Sequence, residues 1–272
     1  MAVREVSKVK LYGAEIELLR SGAGQPLLIF HGEWGNPGWL SWLDGLTDFE
    51  TYLPTHPGFG NSERHRGLET IRDLADFYMD FIDHFRLERP ALMGFSLGGW
   101  LAAELAATCP ERIGKLVLVG AAGLHVEGAP AADIFLATRA ELLALSFHDP
   151  KAIRELPQLC PETVSEEESI ARERSQIMAQ VLAWKPYMHN PKLPYRLHRI
   201  RMPALVVWGR NDATIPLVHG EAWARAIAGS QLKVIDQCGH APHLEQPTQF
   251  SRLVRDFLKS DAGRGPGDKT NG

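Results

Sequence analysis

The sequence predicts a doubly wound α/β fold, and three observations predict it. Short apolar runs of strand length recur along the chain, segments with apolar residues at helical spacing lie between them, and several runs end on glycine. Strands buried on both faces of a parallel sheet read as continuous apolar runs rather than alternating ones. Strand, loop and helix in repetition then stack helices on a mostly parallel sheet.

Residues 6–12 and 15–20 read as a hairpin around Tyr12-Gly13, adding antiparallel edge strands. Leu27-Leu28-Ile29-Phe30 is the first continuous apolar run and ends at His31-Gly32. Residues 70–85 carry helical spacing. Ala91-Leu92-Met93 runs into Gly94 and is followed by a helical segment over 98–108. Leu116-Val117-Leu118-Val119 then runs into Gly120. From about 124 to 197 no buried-strand run occurs. Helices are expected there over 131–147 and 165–183, the second opened by a capping box of Ser165 and Glu168. Pro186, Pro191 and Pro194 follow. The strand pattern resumes with Ala204-Leu205-Val206-Val207-Trp208 and again with Leu232-Lys233-Val234-Ile235. Residues 1–123 and 198–260 are therefore expected to form the core. Residues 124–197 are expected to form a helical cap over the carboxyl edge of the sheet, and the Gly-rich polar tail 261–272 to be disordered.

At 272 residues the chain suffices for one large domain with a modest insertion, and its 44% hydrophobic content supplies a sizeable core. A net charge of −4 with mixed signs offers neither a basic footprint for nucleic acid nor a polybasic membrane anchor. No apolar stretch is long enough to cross a bilayer, and none follows a basic segment at the N-terminus as a secretory signal would. The three scattered cysteines, Cys109, Cys160 and Cys238, argue against a disulfide framework and fit a reducing cytoplasm. None has metal-ligand spacing, so a zinc site is not expected.

The chemistry points to Gly94-Phe95-Ser96-Leu97-Gly98, which directly follows a buried strand and directly precedes an Ala-rich helix. A nucleophile on a sharp strand-to-helix turn needs small neighbours and faces a helix N-terminus that favours developing negative charge. Serine needs a base, usually histidine oriented by a carboxylate. His240, in the loop after the last strand, is the candidate. His243 competes weakly, since Pro242 and the following residues place it at a helix entry on the surface. Asp212, straight after the 204–208 strand, is the candidate acid, because catalytic groups gather at the carboxyl edge of such sheets. Asp236 is a weaker alternative, and Gly120-Ala121-Ala122-Gly123 offers no carboxylate. Two backbone donors should stabilise the oxyanion: the Leu97 amide and one from the loop after residue 30, with Glu33 preferred and Trp34 second. His31 reads as a structural hydrogen-bonder. The Glu33 side chain, which would repel an oxyanion, is expected to point away or to bind a water or a substrate group.

His31-Gly32, Gly58-Phe59-Gly60-Asn61-Ser62, Gly94 to Gly99, Gly209-Arg210-Asn211-Asp212 and Gly239-His240-Ala241-Pro242 together resemble successive landmarks of the α/β-hydrolase fold, over about 27–259. The chain order Ser96, Asp212, His240 is also similar to that of this fold. The resemblance implies hydrolysis of esters, lactones, thioesters or, in one branch, carbon–carbon bonds of dienone acids, with no cofactor. Haloalkane dehalogenases and epoxide hydrolases resemble the chain at His31-Gly32-Glu33 but carry Asp where Ser96 stands. The carbon–carbon hydrolases usually have Asn before the serine and Trp after the histidine, where this chain has Phe95 and Ala241. The expectation is thus a carboxylesterase or lactonase acting on a small molecule through Ser96, His240 and Asp212, with carbon–carbon hydrolysis or a non-catalytic ligand-binding role as alternatives. Trp34, Phe95, Trp184 and Tyr187 are expected near the substrate, with Trp39 and Trp42 also candidates. Ordinary packing explains each aromatic singly as well.

Overall fold

The computed structural model describes residues 4–260; the tail expected at 261–272 lies outside the described residues. Eight strands form one sheet: β1 (Arg4–Leu11), β2 (Ala14–Ser21), β3 (Gln25–Phe30), β4 (Phe49–Pro54), β5 (Ala91–Phe95), β6 (Lys115–Val119), β7 (Ala204–Gly209) and β8 (Gln231–Ile235). Their order is β1-β2-β4-β3-β5-β6-β7-β8. β1 and β2 pair as the antiparallel hairpin that the sequence predicts, β2 also runs antiparallel to β4, and every later pairing is parallel. β4 is a strand that apolar patterning alone does not reveal, because Glu50 and Thr51 interrupt its run.

The sheet divides the core into two layers, as a period of two along each strand requires. Leu28 and Phe30 of β3, Leu92 of β5, and Leu116 and Leu118 of β6 face one layer. Helices α1 (Ile71–His84), α2 (Leu97–Thr108) and α6 (Leu217–Ala226) contribute to that layer. Leu27, Ile29, Met93, Val117 and Val119 face the other. A 3-10 helix, Ser41–Leu46, and α8 (Pro247–Lys259) pack there through Trp42, Phe250, Val254 and Phe257. Full burial of one such side chain stabilises the fold by roughly 1.5–3 kcal/mol. α1 begins at a complete capping box. Thr70 accepts from the Asp73 amide at 3.1 Å, and the Asp73 carboxylate accepts from the Thr70 amide at 2.8 Å.

Between β6 and β7 the chain forms α3 (Arg139–Ser146), α4 (Leu156–Leu159), α5 (Glu166–Ala183) and a 3-10 helix at Pro194–Arg199. The helix expected over 131–147 is shorter than its apolar pattern. Before Thr138, the backbone is spent on tertiary partners: Ala132 N–H donates to the Thr214 carbonyl at 2.8 Å and Ile134 N–H to the Tyr187 hydroxyl at 2.9 Å. At α5 only half of the expected capping box forms. Ser165 accepts from the Glu168 amide at 3.2 Å, while the Glu168 carboxylate pairs with Arg172 at 2.7 Å. A short α7 (Pro242–Glu245) precedes α8.

The insertion lies on the loops at the carboxyl edge of the sheet. The Ser175 hydroxyl of α5 accepts from Gly60 N–H at 3.0 Å, and Arg174 donates to the Ser62 carbonyl at 2.7 Å. A Cβ on Gly35 would come within 2.9 Å of Ser175 Oγ. Beneath the insertion, Glu104 of α2 is fully buried. It meets Arg196 Nη2 at 2.7 Å as an ion pair whose angle falls short of a hydrogen bond, and accepts from Asn190 Nδ2 at 2.7 Å and Trp100 Nε1 at 3.3 Å.

Candidate active site

Ser96 joins β5 to α2 with φ 50° and ψ −117°, a conformation that non-glycine residues rarely adopt. Such strain persists where the surroundings over-determine it and is concentrated at functional sites. Here Ser96 N–H donates to the Val119 carbonyl at 3.0 Å, and its carbonyl accepts from Gly99 and Ala122 at 3.0 and 3.1 Å. Gly98 must lack a side chain, since a Cβ would stand 2.4 Å from the carbonyl oxygens of Phe30 and His31. The close approach brings the first turn of α2 against the loop after β3. A Cβ on Gly32 would lie 3.4 Å from Ser96 Cβ. Neither the Leu97 nor the Glu33 amide has a protein acceptor among the described residues.

Asp212 follows β7 and is buried. Its Oδ1 accepts from the Thr214 and Ile215 amides at 3.0 and 2.8 Å, and its Oδ2 meets His240 Nδ1 at 2.8 Å. Burial pushes the His240 imidazole pKa down, but the Asp212 carboxylate outweighs it, with Glu33 and Glu245 adding, and the net pKa lies above the ordinary histidine value. The His240 ring rests on Gly120, where φ is +53° and a Cβ would stand 3.0 Å from Cε1. A carboxylate-bearing side chain directly after β6 is thereby excluded in this arrangement. Asp236 is exposed and pairs with Arg210, away from the imidazole. His240 Nε2 and Ser96 Oγ are both buried without a hydrogen-bond partner. Catalytic hydrogen bonds often tighten only when substrate is present.

The histidine loop is fastened to the insertion. His240 N–H donates to the Ser146 carbonyl at 2.7 Å. Glu245 accepts from the amides of Gly239 at 2.6 Å, His148 at 2.7 Å and Asp149 at 3.3 Å. Glu245 and Gly120 were not legible as site residues, since neither carries a motif of its own.

A family model described as "Alpha/beta hydrolase family" matches residues 27–253. The chain belongs to the alpha/beta hydrolase family. The hydrolase is 32% identical over 262 residues to the 2-hydroxymuconate semialdehyde hydrolase of Pseudomonas sp. (strain CF600), an alignment covering 90% of this chain and 91% of that one. It is 28% identical over 289 residues to the 2-hydroxy-6-oxo-6-phenylhexa-2,4-dienoate hydrolase of Comamonas testosteroni, covering 94% and 95%. Among solved structures, the 2-hydroxy-6-oxo-6-phenylhexa-2,4-dienoate hydrolase from Rhodococcus sp. strain RHA1 superposes with a TM-score of 0.79 at 20% identity, covering 96% and 100%. That likeness shows the α/β-hydrolase fold, with its eight-stranded, mostly parallel sheet.

The aromatic residues of this hydrolase expected near the substrate fall in different places. Trp34 and Trp184 are exposed. Tyr187 spends its hydroxyl within the insertion, donating to the Ala132 carbonyl at 2.6 Å and accepting from Ile134 N–H. Burial raises its pKa to about 12. Phe95 packs with Trp42, Phe250 and His243, its ring centroid 4.3 Å from that of His243. His243 is partly exposed rather than fully at the surface as expected: α8 folds Phe250 beneath it, and burial of the ring lowers its pKa to about 3. Trp39 is partly buried, with the Arg4 guanidinium over its ring and its indole donating to Asp44 at 2.8 Å. Nor does the Glu33 side chain point out to solvent. It is 3% exposed, with a buried Oε2 lacking a partner. His31 is a structural hydrogen-bonder: Nδ1 donates to the Gly32 carbonyl at 2.7 Å and Nε2 accepts from His56 N–H at 2.9 Å. Among the described residues no group of His, Cys, Asp and Glu could hold a metal, and no helix is long and apolar enough to cross a membrane.

Proposed function

We propose that the chain is a serine hydrolase that splits a small carbonyl compound through an acyl-enzyme on Ser96, and that the scissile bond is a carbon–carbon bond in a dienoate of the kind for which its relatives are named. The observation that carries the serine mechanism is the Asp212–His240 bond of 2.8 Å, with the second Asp212 oxygen held by two amides and the imidazole resting on Gly120, next to the Val119 carbonyl that holds the strained Ser96. In this reading Ser96 Oγ attacks the carbonyl carbon while His240 Nε2 takes its proton and Asp212 stabilises the imidazolium. The Glu33 and Leu97 amides receive the oxyanion. Collapse breaks the bond to the leaving group, which takes the proton from His240. A water molecule then attacks the acyl-enzyme with His240 again as base, releasing the acid. Residues 124–197 act as the cap that shapes the substrate site, with Trp34, Phe95, Trp184 and Tyr187 as candidate contacts.

Ester or lactone hydrolysis is the second reading. It is favoured by Phe95 and Ala241, which stand where carbon–carbon hydrolases usually carry Asn and Trp. The two separate in one experiment. The kcat/KM for 2-hydroxy-6-oxo-6-phenylhexa-2,4-dienoate is expected to exceed that for p-nitrophenyl butyrate, and the reverse order selects the esterase. In either case Ser96→Ala should lower turnover by about 10⁴-fold or more. Undiminished turnover in that variant would remove the serine mechanism.

A further inference from the structure

Glu33 is the polar group that the mechanism leaves unused. Only its backbone amide has a role in the oxyanion site, yet its side chain is among the most buried carboxylates in the protein, at 3% exposure. Other well-buried acids are held. Glu104 faces Arg196, Asn190 and Trp100, and Asp212 faces His240 and two amides. Glu33 Oε2 is buried without a partner, as are Ser96 Oγ and His240 Nε2. Glu33 directly follows Gly32, where a Cβ would stand 3.4 Å from Ser96 Cβ, so the loop that carries it touches the nucleophile. Its charge also acts on His240 of the core and on Tyr187 of the insertion.

Leaving a buried acceptor unpaired is costly, and more so when the group is charged. Any substrate that occupies this site must either supply a donor to Glu33 or leave that cost standing. A site built to bond a substrate hydroxyl or amine rejects analogues that lack it far more strongly than an apolar pocket rejects a missing methylene. A substrate carboxylate at the same place meets like charge at short range.

Resting on the serine-hydrolase reading, we propose that Glu33 is a specificity-determining residue whose carboxylate accepts a hydrogen bond from a hydroxyl or ammonium group of the substrate near the scissile carbonyl, and excludes a carboxylate there. The substrate class is thus a carbonyl compound bearing a neutral or cationic donor at that position.

The test uses matched substrates with wild type, Glu33→Gln and Ser96→Ala. Glutamine keeps the backbone amide and the side-chain volume but removes the charge. On the leaving-group side the series is 4-(aminomethyl)phenyl acetate, phenyl acetate and 4-acetoxybenzoate. On the acyl side the pair is p-nitrophenyl 3-aminopropanoate and p-nitrophenyl butyrate. Rates are normalised to alkaline hydrolysis of each ester. For the wild type, kcat/KM is expected to favour the cationic member over its neutral partner by ten-fold or more on at least one side, with 4-acetoxybenzoate the poorest acetate. In Glu33→Gln the preference should fall below about two-fold and 4-acetoxybenzoate should gain ten-fold or more. Equal wild-type rates across both sets overturn the proposal whether or not the variant folds, as do unaltered ratios in Glu33→Gln. Activity persisting in Ser96→Ala instead overturns the underlying serine mechanism, a result that the Glu33 ratios cannot produce.

Discussion

Four histidines, His31, His56, His219 and His243, are held neutral by what surrounds them. His31 Nδ1 donates to a carbonyl while its Nε2 accepts from the His56 amide, leaving no lone pair for a second proton. His56 Nδ1 lies 2.6 Å from the Tyr78 hydroxyl and Nε2 lies 3.2 Å from the His31 carbonyl, which likewise assigns one acceptor and one donor. His219 Nε2 donates to the Ala129 carbonyl at 2.7 Å, and the partly buried His243 ring lies tilted against Phe95. Burial lowers the pKa of His31 to about 4, that of His243 to about 3, that of His56 well below the usual value, and that of His219 as well. In the unfolded chain all four titrate near 6.5. The unfolded state therefore binds more protons below pH 6.5. The stability supplied by neutrality is complete above that pH and declines as pH falls toward 4, by up to about 1.4 kcal/mol per histidine for each pH unit. His240 has the opposite sign, since its raised folded pKa adds stability on the acidic side, but it is one group against four. The urea midpoint should accordingly fall between pH 6.5 and 4.5, and His243→Phe should flatten that fall. A midpoint that rises on acidification would contradict this account.

At the scale of elements, the insertion and α2 are joined through Glu104. Its carboxylate is fully enclosed, and Arg196 is the cation that meets it, itself mostly buried. Removing one partner of a buried pair costs about 3–5 kcal/mol because the other charge is left uncompensated. Arg196→Ala should lose about that much stability in urea denaturation. Adding Glu104→Gln should restore part of it, since the amide keeps a partner in Asn190 without needing a cation. A loss under 1 kcal/mol in the single variant would mean that the pair does not hold the insertion in place. Element boundaries were legible where local chemistry sets them. Thr70 and Ser165 cap the helices they precede, and the apolar runs before Gly94, Gly120 and Gly209 became β5, β6 and β7. Legibility failed where a tertiary partner intervened. Tyr187 and Thr214 capture the backbone of residues 132–134 and delay α3, and the pairing of β4 with β2 and β3 carries Glu50 and Thr51 into a strand.

For the molecule as a whole, positions along the chain proved easier to read than directions in space. Ser96, Asp212 and His240 stand at turns that follow strands, so a strand pattern locates them, and the sheet order sets β5, β6 and β7 side by side. Which way a side chain turns from those loops was not encoded locally. The same reasoning that placed His243 on the surface missed the Phe250 that α8 brings beneath it, and nothing within His31-Gly32-Glu33 says that its carboxylate is buried.

That enclosure bears on kinetics. Ser96 Oγ and His240 Nε2 have essentially no surface open to water, so an electrophile must wait for the assembly to loosen before it can meet the hydroxyl. Gating of this kind makes capture a two-step event, in which a conformational rate caps the chemical one. Inactivation by a fluorophosphonate should therefore level off as reagent concentration rises, at the rate of opening. Arg196→Ala, by loosening one tie of the insertion, should raise that plateau. A strictly linear dependence up to the solubility limit would mean that the nucleophile is continuously accessible in solution.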